Sequence, residues 1–201
     1  MQAWTDYNEP IRLPVRTQAL GPLTLYQMIT GQEVRRLSHN NAPRWLVLSV
    51  GEVAAARAAG LSPEEMLQPL AAAEPMSLAE LAAVPPTFML PEDQANLVRD
   101  TASALVLYLE ENVEPDGVRR LLQRLADHPA DPRGAGPDVE PSRGALALQA
   151  LAQVTGRSAA ELEHDFRTWW ARLAAASRRC SPSSRAWTVP PQARCGPPAS
   201  N

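Results

Sequence analysis

Three Ser-x-x-Glu segments along the chain read as helix-opening boxes: Ser62-Pro63-Glu64-Glu65, Ser77-Leu78-Ala79-Glu80 and Ser158-Ala159-Ala160-Glu161. At this spacing the hydroxyl accepts from an orphan amide of a first helical turn while the carboxylate reaches back to the serine N–H. Each box therefore fixes a helix start, and three of them commit the chain to a largely helical fold. Between the boxes the apolar residues recur with helical period. Leu25, Met28, Ile29 and Val34 do so within Leu23 to Arg36. A second helix runs from Pro43 or Arg44 to Ala59 and stops at Gly60, where a left-handed cap suits glycine.

Further on, Val98, Ala102, Leu105 and Leu109 form a stripe within Pro91 to Asn112, and Val118, Leu121, Leu122 and Leu125 form another. Asp127 to Gly144 is crowded with Pro, Gly and Asp and reads as a loop or insertion (127–144). The helix Gly144 to Val154 follows. After it, Leu162, Phe166, Trp169, Trp170 and Leu173 share one face, opposite Glu161, His164, Asp165, Thr168 and Arg172. Aromatics at that spacing are expected to be packing residues. The one extended segment is Glu9 to Arg16, which places Ile11, Leu13 and Val15 on one side, with Pro10 and Pro14 confining it to a sheet edge. The expected fold is mainly α with an α+β remnant: an arm with a short edge strand (1–22), a domain of about seven helices (23–176), and a disordered tail rich in Pro, Ser and Arg (177–201).

Composition removes several function classes. All 19 basic residues are arginine, as expected of a GC-rich bacterial genome, and they are scattered among 22 carboxylates for a net charge of −3. No basic stripe marks a nucleic-acid surface. No run approaches the roughly 20 apolar residues of a membrane span, and the first residues lack the pattern of a signal peptide. The expected location is cytoplasmic, changing to secreted or membrane-attached if Met1 is a late start. Cys180 and Cys195 both fall towards the tail, as free thiols or as a late disulfide. Phosphate-binding glycine loops, G-x-S-x-G and paired C-x-x-C are all missing from the sequence. Glu161 and His164 make one E-x-x-H, half of a di-iron pattern, and a solvated polar face accounts for both.

The order of strand, helix, Pro43-Arg44-Trp45-Leu46 and a helical C-terminal half resembles the peptidase MA-like family of gluzincin, zincin-fold metallopeptidases. Leu97 to Leu125 and Ala145 to Trp169 resemble that family's closing helices, including Gly156, Ser158, Glu161, Leu162, Glu163 and Trp169. The resemblance spans Glu9 to Leu173 and implies the C-terminal part of a zincin-like domain. It also implies zinc, held by an H-E-x-x-H helix and by a glutamate in the segment P-x-W-L-x-E-G-x-A-E. Here the pattern departs. Leu48 stands at the ligand glutamate, Ser49 and Gly51 replace Gly and Ala, and Tyr26, Gln27 and Thr30 fall where His, Glu and His are expected. Leucine donates no electron pair, glutamine cannot serve as a general base, and the sequence contains no H-E-x-x-H. Trp45 and Glu52 survive as a residual cleft. Trp45 is expected to anchor the helix, and Glu52 to cap, to pair with Arg44 or Arg57, or to face water.

The expected function is a catalytically inactive, peptidase-like domain without catalytic residues, metal or cofactor, which binds a protein or peptide. One alternative is a helical adaptor unrelated to peptidases, acting through the Trp169/Trp170 face or the tail. The other is a hydrolase with an atypical metal set such as His39 with carboxylates. Oligomeric state stays open.

Overall fold

A computed structural model describes residues 22–62, 65–66, 74–113, 116–133 and 136–180, and the expected edge strand lies outside them. The described residues form seven α-helices and no strand. They are α1 (Pro22–Leu37), α2 (Arg44–Ala58), α3 (Leu78–Ala82), α4 (Glu92–Asn112), α5 (Gly117–Ala126), α6 (Val139–Thr155) and α7 (Ala159–Cys180), with a 3-10 turn at Thr87–Met89 before α4. The protein is mainly α.

All three Ser/Glu boxes close. Ser77 N–H donates to Glu80 Oε2 at 2.8 Å and Ser158 N–H to Glu161 Oε2 at 2.8 Å, with the reciprocal amide bonds at 3.2 and 3.3 Å. Ser62 and Glu65 do the same at 2.8 and 3.3 Å, although most of the helix they would open lies outside the described residues. Gly60, at φ +81°, ends α2. Its N–H bonds Arg57 O and the next N–H, of Leu61, bonds Ala56 O, the paired bonds of a left-handed helix stop.

The core is organised around α4. Every residue from Thr101 to Leu109 is buried, so this helix is covered on all sides rather than along the single stripe Val98-Ala102-Leu105-Leu109. Helix α2 lies along one flank of α4 and pairs with α1 on its own other side, while α3, α5 and α7 also contact α4. Tyr108 meets Phe166 and Trp169 of α7 edge-on, with ring centroids 5.8 and 5.7 Å apart. Trp169 Nε1 donates to Glu111 Oε2 at 2.7 Å, which satisfies the indole as burial requires. Trp169 and Trp170 are both buried, so the face offered to a partner in the adaptor reading is core. Thr101, enclosed beside them, is paired: its Oγ1 accepts from the N–H of Met76 at 3.1 Å.

Two boundaries differ from expectation. The loop read at 127–144 ends early, because α6 begins at Val139. Pro141 obscured this start; in a first turn its missing N–H breaks no helical bond. Helix α7 continues to Cys180, past the 177 at which the tail was expected to begin, and Cys195 lies outside the described residues. Helices α3 and α6 cross in backbone contact: a Cβ on Gly144 would lie 1.8 Å from Ala82 O.

Candidate functional site

Tyr26, Gln27, Thr30 and Leu48 lie on the α1–α2 hairpin, which is locked at its turn. His39 and Asn40 adopt φ +51° and +62° there, a left-handed conformation that asparagine tolerates. Asn40 Nδ2 donates to Asp131 O at 2.7 Å, and Asn41 Nδ2 donates to Leu125 O and Pro129 O, both at 3.1 Å. Register follows from two close approaches. A Cβ on Gly51 would lie 3.1 Å from Gln27 O, and one on Gly31 would lie 3.4 Å from Val47 Cγ1. Gln27–Gly31 thus runs beside Val47–Gly51, so Thr30 and Leu48 are brought to one level of the helix pair.

Their side chains offer no ligand set. Tyr26 is 46% exposed, Leu48 is 39% exposed, Gln27 is exposed and Thr30 is half-buried. Among the described residues, no group of three or more His, Cys, Asp or Glu is arranged to hold a metal ion. Ser49 is buried, and its hydroxyl donates to Trp45 O within α2.

Glu52, one turn beyond Leu48, sits partly buried between α2 and α4. It pairs with neither Arg44 nor Arg57. Its Oε2 accepts from Ser103 Oγ at 3.2 Å, and Arg99 Nε lies 3.7 Å from its Oε1. Burial pushes this carboxyl up from its ordinary value, against the pull of Arg99 and Ser103; burial raises the neighbouring Asp100 as well. Arg57 instead pairs with Glu110 at 2.5 Å. A carboxyl raised above its ordinary value beside a hydroxyl is a fragment of acid–base chemistry.

Trp45 is 4% exposed and belongs to the core, so it does not line an open cleft. At that end of α2 its half-buried neighbour meets an exposed ring. The Arg44 guanidinium lies 5.5 Å from the centroid of the Phe88 ring, within cation–π range. Phe88 and Met89 on the 3-10 turn are 66% and 54% exposed, the two most open large apolar side chains among the described residues. Pro85 and Pro86 precede the turn and Pro91 follows it, which restricts the backbone that carries them.

Beneath Arg44 lies a buried charge cluster that the sequence reading missed. Pro43 supplies no side-chain cap to α2. In its place, Glu140 Oε2 accepts from the Arg44 N–H at 2.6 Å, putting a carboxylate on the positive end of the helix. Glu140 is 2% exposed and Arg143 3% exposed; they pair at 3.5 Å, and Arg143 Nε lies 3.3 Å from Asp131 Oδ2. Arg133 holds Asp131 from the other side at 2.9 Å, and that hydrogen bond keeps the Asp131 carboxyl below its usual value. Helix α3 is capped the same way, Leu78 N–H donating to Glu163 Oε2 at 2.6 Å.

Glu161 and His164 line an open depression with Arg157, Ala160 and Asp165. Glu161 is committed to Ser158, whose hydroxyl hydrogen bond lowers its carboxyl, and Arg157 bridges Tyr108 Oη at 2.6 Å and Asp165 at 2.8 Å. The E-x-x-H spacing is thus a helix cap and a polar face.

No family model, no curated protein and no solved structure matches this chain. Among the described residues no helix is long and apolar enough to cross a membrane.

Proposed function

We propose that this chain is a catalytically inactive, peptidase-like helical domain whose role is to bind a protein or peptide. The observation that carries the binding role is the Phe88-Met89 turn. Two consecutive large apolar side chains stand open to solvent on a proline-bounded turn, with Arg44 stacked against the ring. A rigid aromatic beside an arginine is the composition of an interface anchor, and it loses little conformational freedom on binding. The complementary partner offers an apolar pocket with acidic groups at its rim. The non-catalytic half of the proposal is supported by the residues at the resembled metal positions: Leu48, Tyr26, Gln27 and Thr30 supply neither a ligand pair nor a general base.

Two measurements test these halves. Purified chain dialysed against zinc and assayed by elemental analysis is expected to hold well under 0.1 equivalent; one tightly held zinc per chain overturns the inactive reading. For binding, a random peptide library displayed on phage is selected against the full chain. Peptides recovered are expected to weaken at least tenfold against Phe88→Ser, and selected binders indifferent to Phe88→Ser and Met89→Ser overturn the assignment of the anchor.

A further inference from the structure

Helix α1 is unevenly finished. Its later turns are solvated in the ordinary way, with Glu33 and Arg36 paired to each other at 2.5 Å and Val34 buried against the core. Its first turns present hydrocarbon instead: Tyr26 is 46% and Ile29 43% exposed, beside half-buried Leu25 and Met28. Gln27 meets α2 through its backbone, at Gly51. Tyr26 and Ile29 are two of the six large apolar residues that stand exposed among the described residues, and both lie just after the start of the described chain.

We propose that the outer face of the first turns of α1 is covered by this chain's own residues Glu9–Arg16, docked through Ile11, Leu13 and Val15. Three features single out this occupant. Residues 1–21 lead directly into Pro22, so the segment is held at the patch by its own covalent connection. Reach is ample: the stretch from Val15 to Pro22 spans up to about 23 Å when extended, whereas Pro22 to Ile29 covers about 10 Å of helix. The spacings also agree. Alternate residues of an extended chain are about 6.6 Å apart, and residues four apart on a helix, as Leu25 and Ile29 are, lie about 6 Å apart. The same alternation turns Arg12 and Arg16 away from the patch together with Pro10 and Pro14. Two prolines within the segment remove backbone donors, which favours docking through side chains over recruitment into a sheet.

The test is disulfide trapping in the full chain, with Cys180→Ser and Cys195→Ser removing the native thiols. Leu13→Cys is paired with Ile29→Cys, and as a control with Thr168→Cys on the exposed face of α7. The expected result is an intramolecular Leu13→Cys/Ile29→Cys cross-link forming at least tenfold faster than the control. Equal rates overturn the proposal, and so does a cross-link found mainly between chains, which assigns the patch to a second copy. Hydrogen exchange gives an independent reading in the unmodified background. Leu13→Asp is expected to accelerate exchange of the amides of residues 26 to 30 at least tenfold while those of Thr101–Leu109 stay unchanged; unaltered exchange in α1 overturns the docking.

Discussion

The carboxylate of Glu140 completes the first turn of a helix that lies ninety-six residues earlier, accepting the Arg44 N–H at 2.6 Å while paired with Arg143. One buried side chain thus joins α2 to α6 and fixes the end of α2 from which Arg44 reaches Phe88. Glu140→Ala leaves Arg143 short of a partner in a buried setting and reopens the helix terminus, so it is expected to cost about 3 to 5 kcal/mol. Glu140→Gln keeps an acceptor for the Arg44 N–H and is expected to cost less than the alanine variant. Urea denaturation of the three proteins checks the order, and equal midpoints for Ala and Gln would show that the cap is irrelevant.

Glu52 sets a pH dependence of opposite sign to the usual carboxylate. Its folded-state carboxyl is raised, mainly by burial, so the native state holds the proton more tightly than the unfolded chain. Its contribution to stability is therefore full at low pH and declines as pH rises from the ordinary glutamate value through the raised one. Glu52→Gln removes the desolvated charge and retains an acceptor for Ser103. Thermal melts are expected to show the variant more stable at pH 7 by up to about 1 kcal/mol, with the advantage shrinking as pH falls towards 4. A variant destabilised at pH 7 but not near pH 4 would mean that the Arg99 pair outweighs desolvation.

At the α3–α6 crossing, Gly144→Ala opposes two effects of known size. Alanine gains about 1 kcal/mol of helix propensity over glycine. Its methyl, however, would sit 1.8 Å from Ala82 O, a backbone atom that no side-chain rotation relieves. The clash dominates, with a net loss of about 2 kcal/mol or more expected from chemical denaturation; a stabilised variant would mean that α3 is free to shift.

Phe88→Ser separates binding from folding. A side chain that is 66% exposed contributes little beyond its contact with Arg44, so the melting curve is expected to move by less than about 1 kcal/mol. Circular dichroism melts of the variant beside the parent decide this, and a loss of several kcal/mol would identify Phe88 as a packing residue.

What the sequence made legible was chemistry that acts over one or two turns. Ser62, Ser77 and Ser158 announced their bonds to Glu65, Glu80 and Glu161, and Gly60 announced its left-handed stop, because each signal and its response lie within five residues. The apolar face of α7 was equally readable, since Leu162, Phe166 and Trp169 repeat regularly. Burial of α4 on every side was not. Thr101 and Ser103 break the apolar run of α4, and their partners, the Met76 N–H and the Glu52 carboxylate, lie on other segments. Glu140 and Glu163 were invisible as caps, because the helices they serve are distant in sequence, and Pro141 disguised the first turn of α6 as loop. At the candidate site, Trp45 as a core anchor followed from its residue type, whereas the partners of Glu52 and the Arg44–Phe88 contact depended on how separate helices meet.

The enclosure of α4 has a consequence for how the chain is made. As synthesis proceeds from the N-terminus, α2 is available to shelter one side of α4 as soon as it emerges. The side bearing Tyr108 receives Phe166 and Trp169 only after α7 has left the ribosome. Throughout that interval the nascent protein carries a long uncovered apolar surface on its central helix. The order of the described helices thus makes α7 the last of them to cover the core, and a chain released before α7 is complete would expose that surface to chaperones.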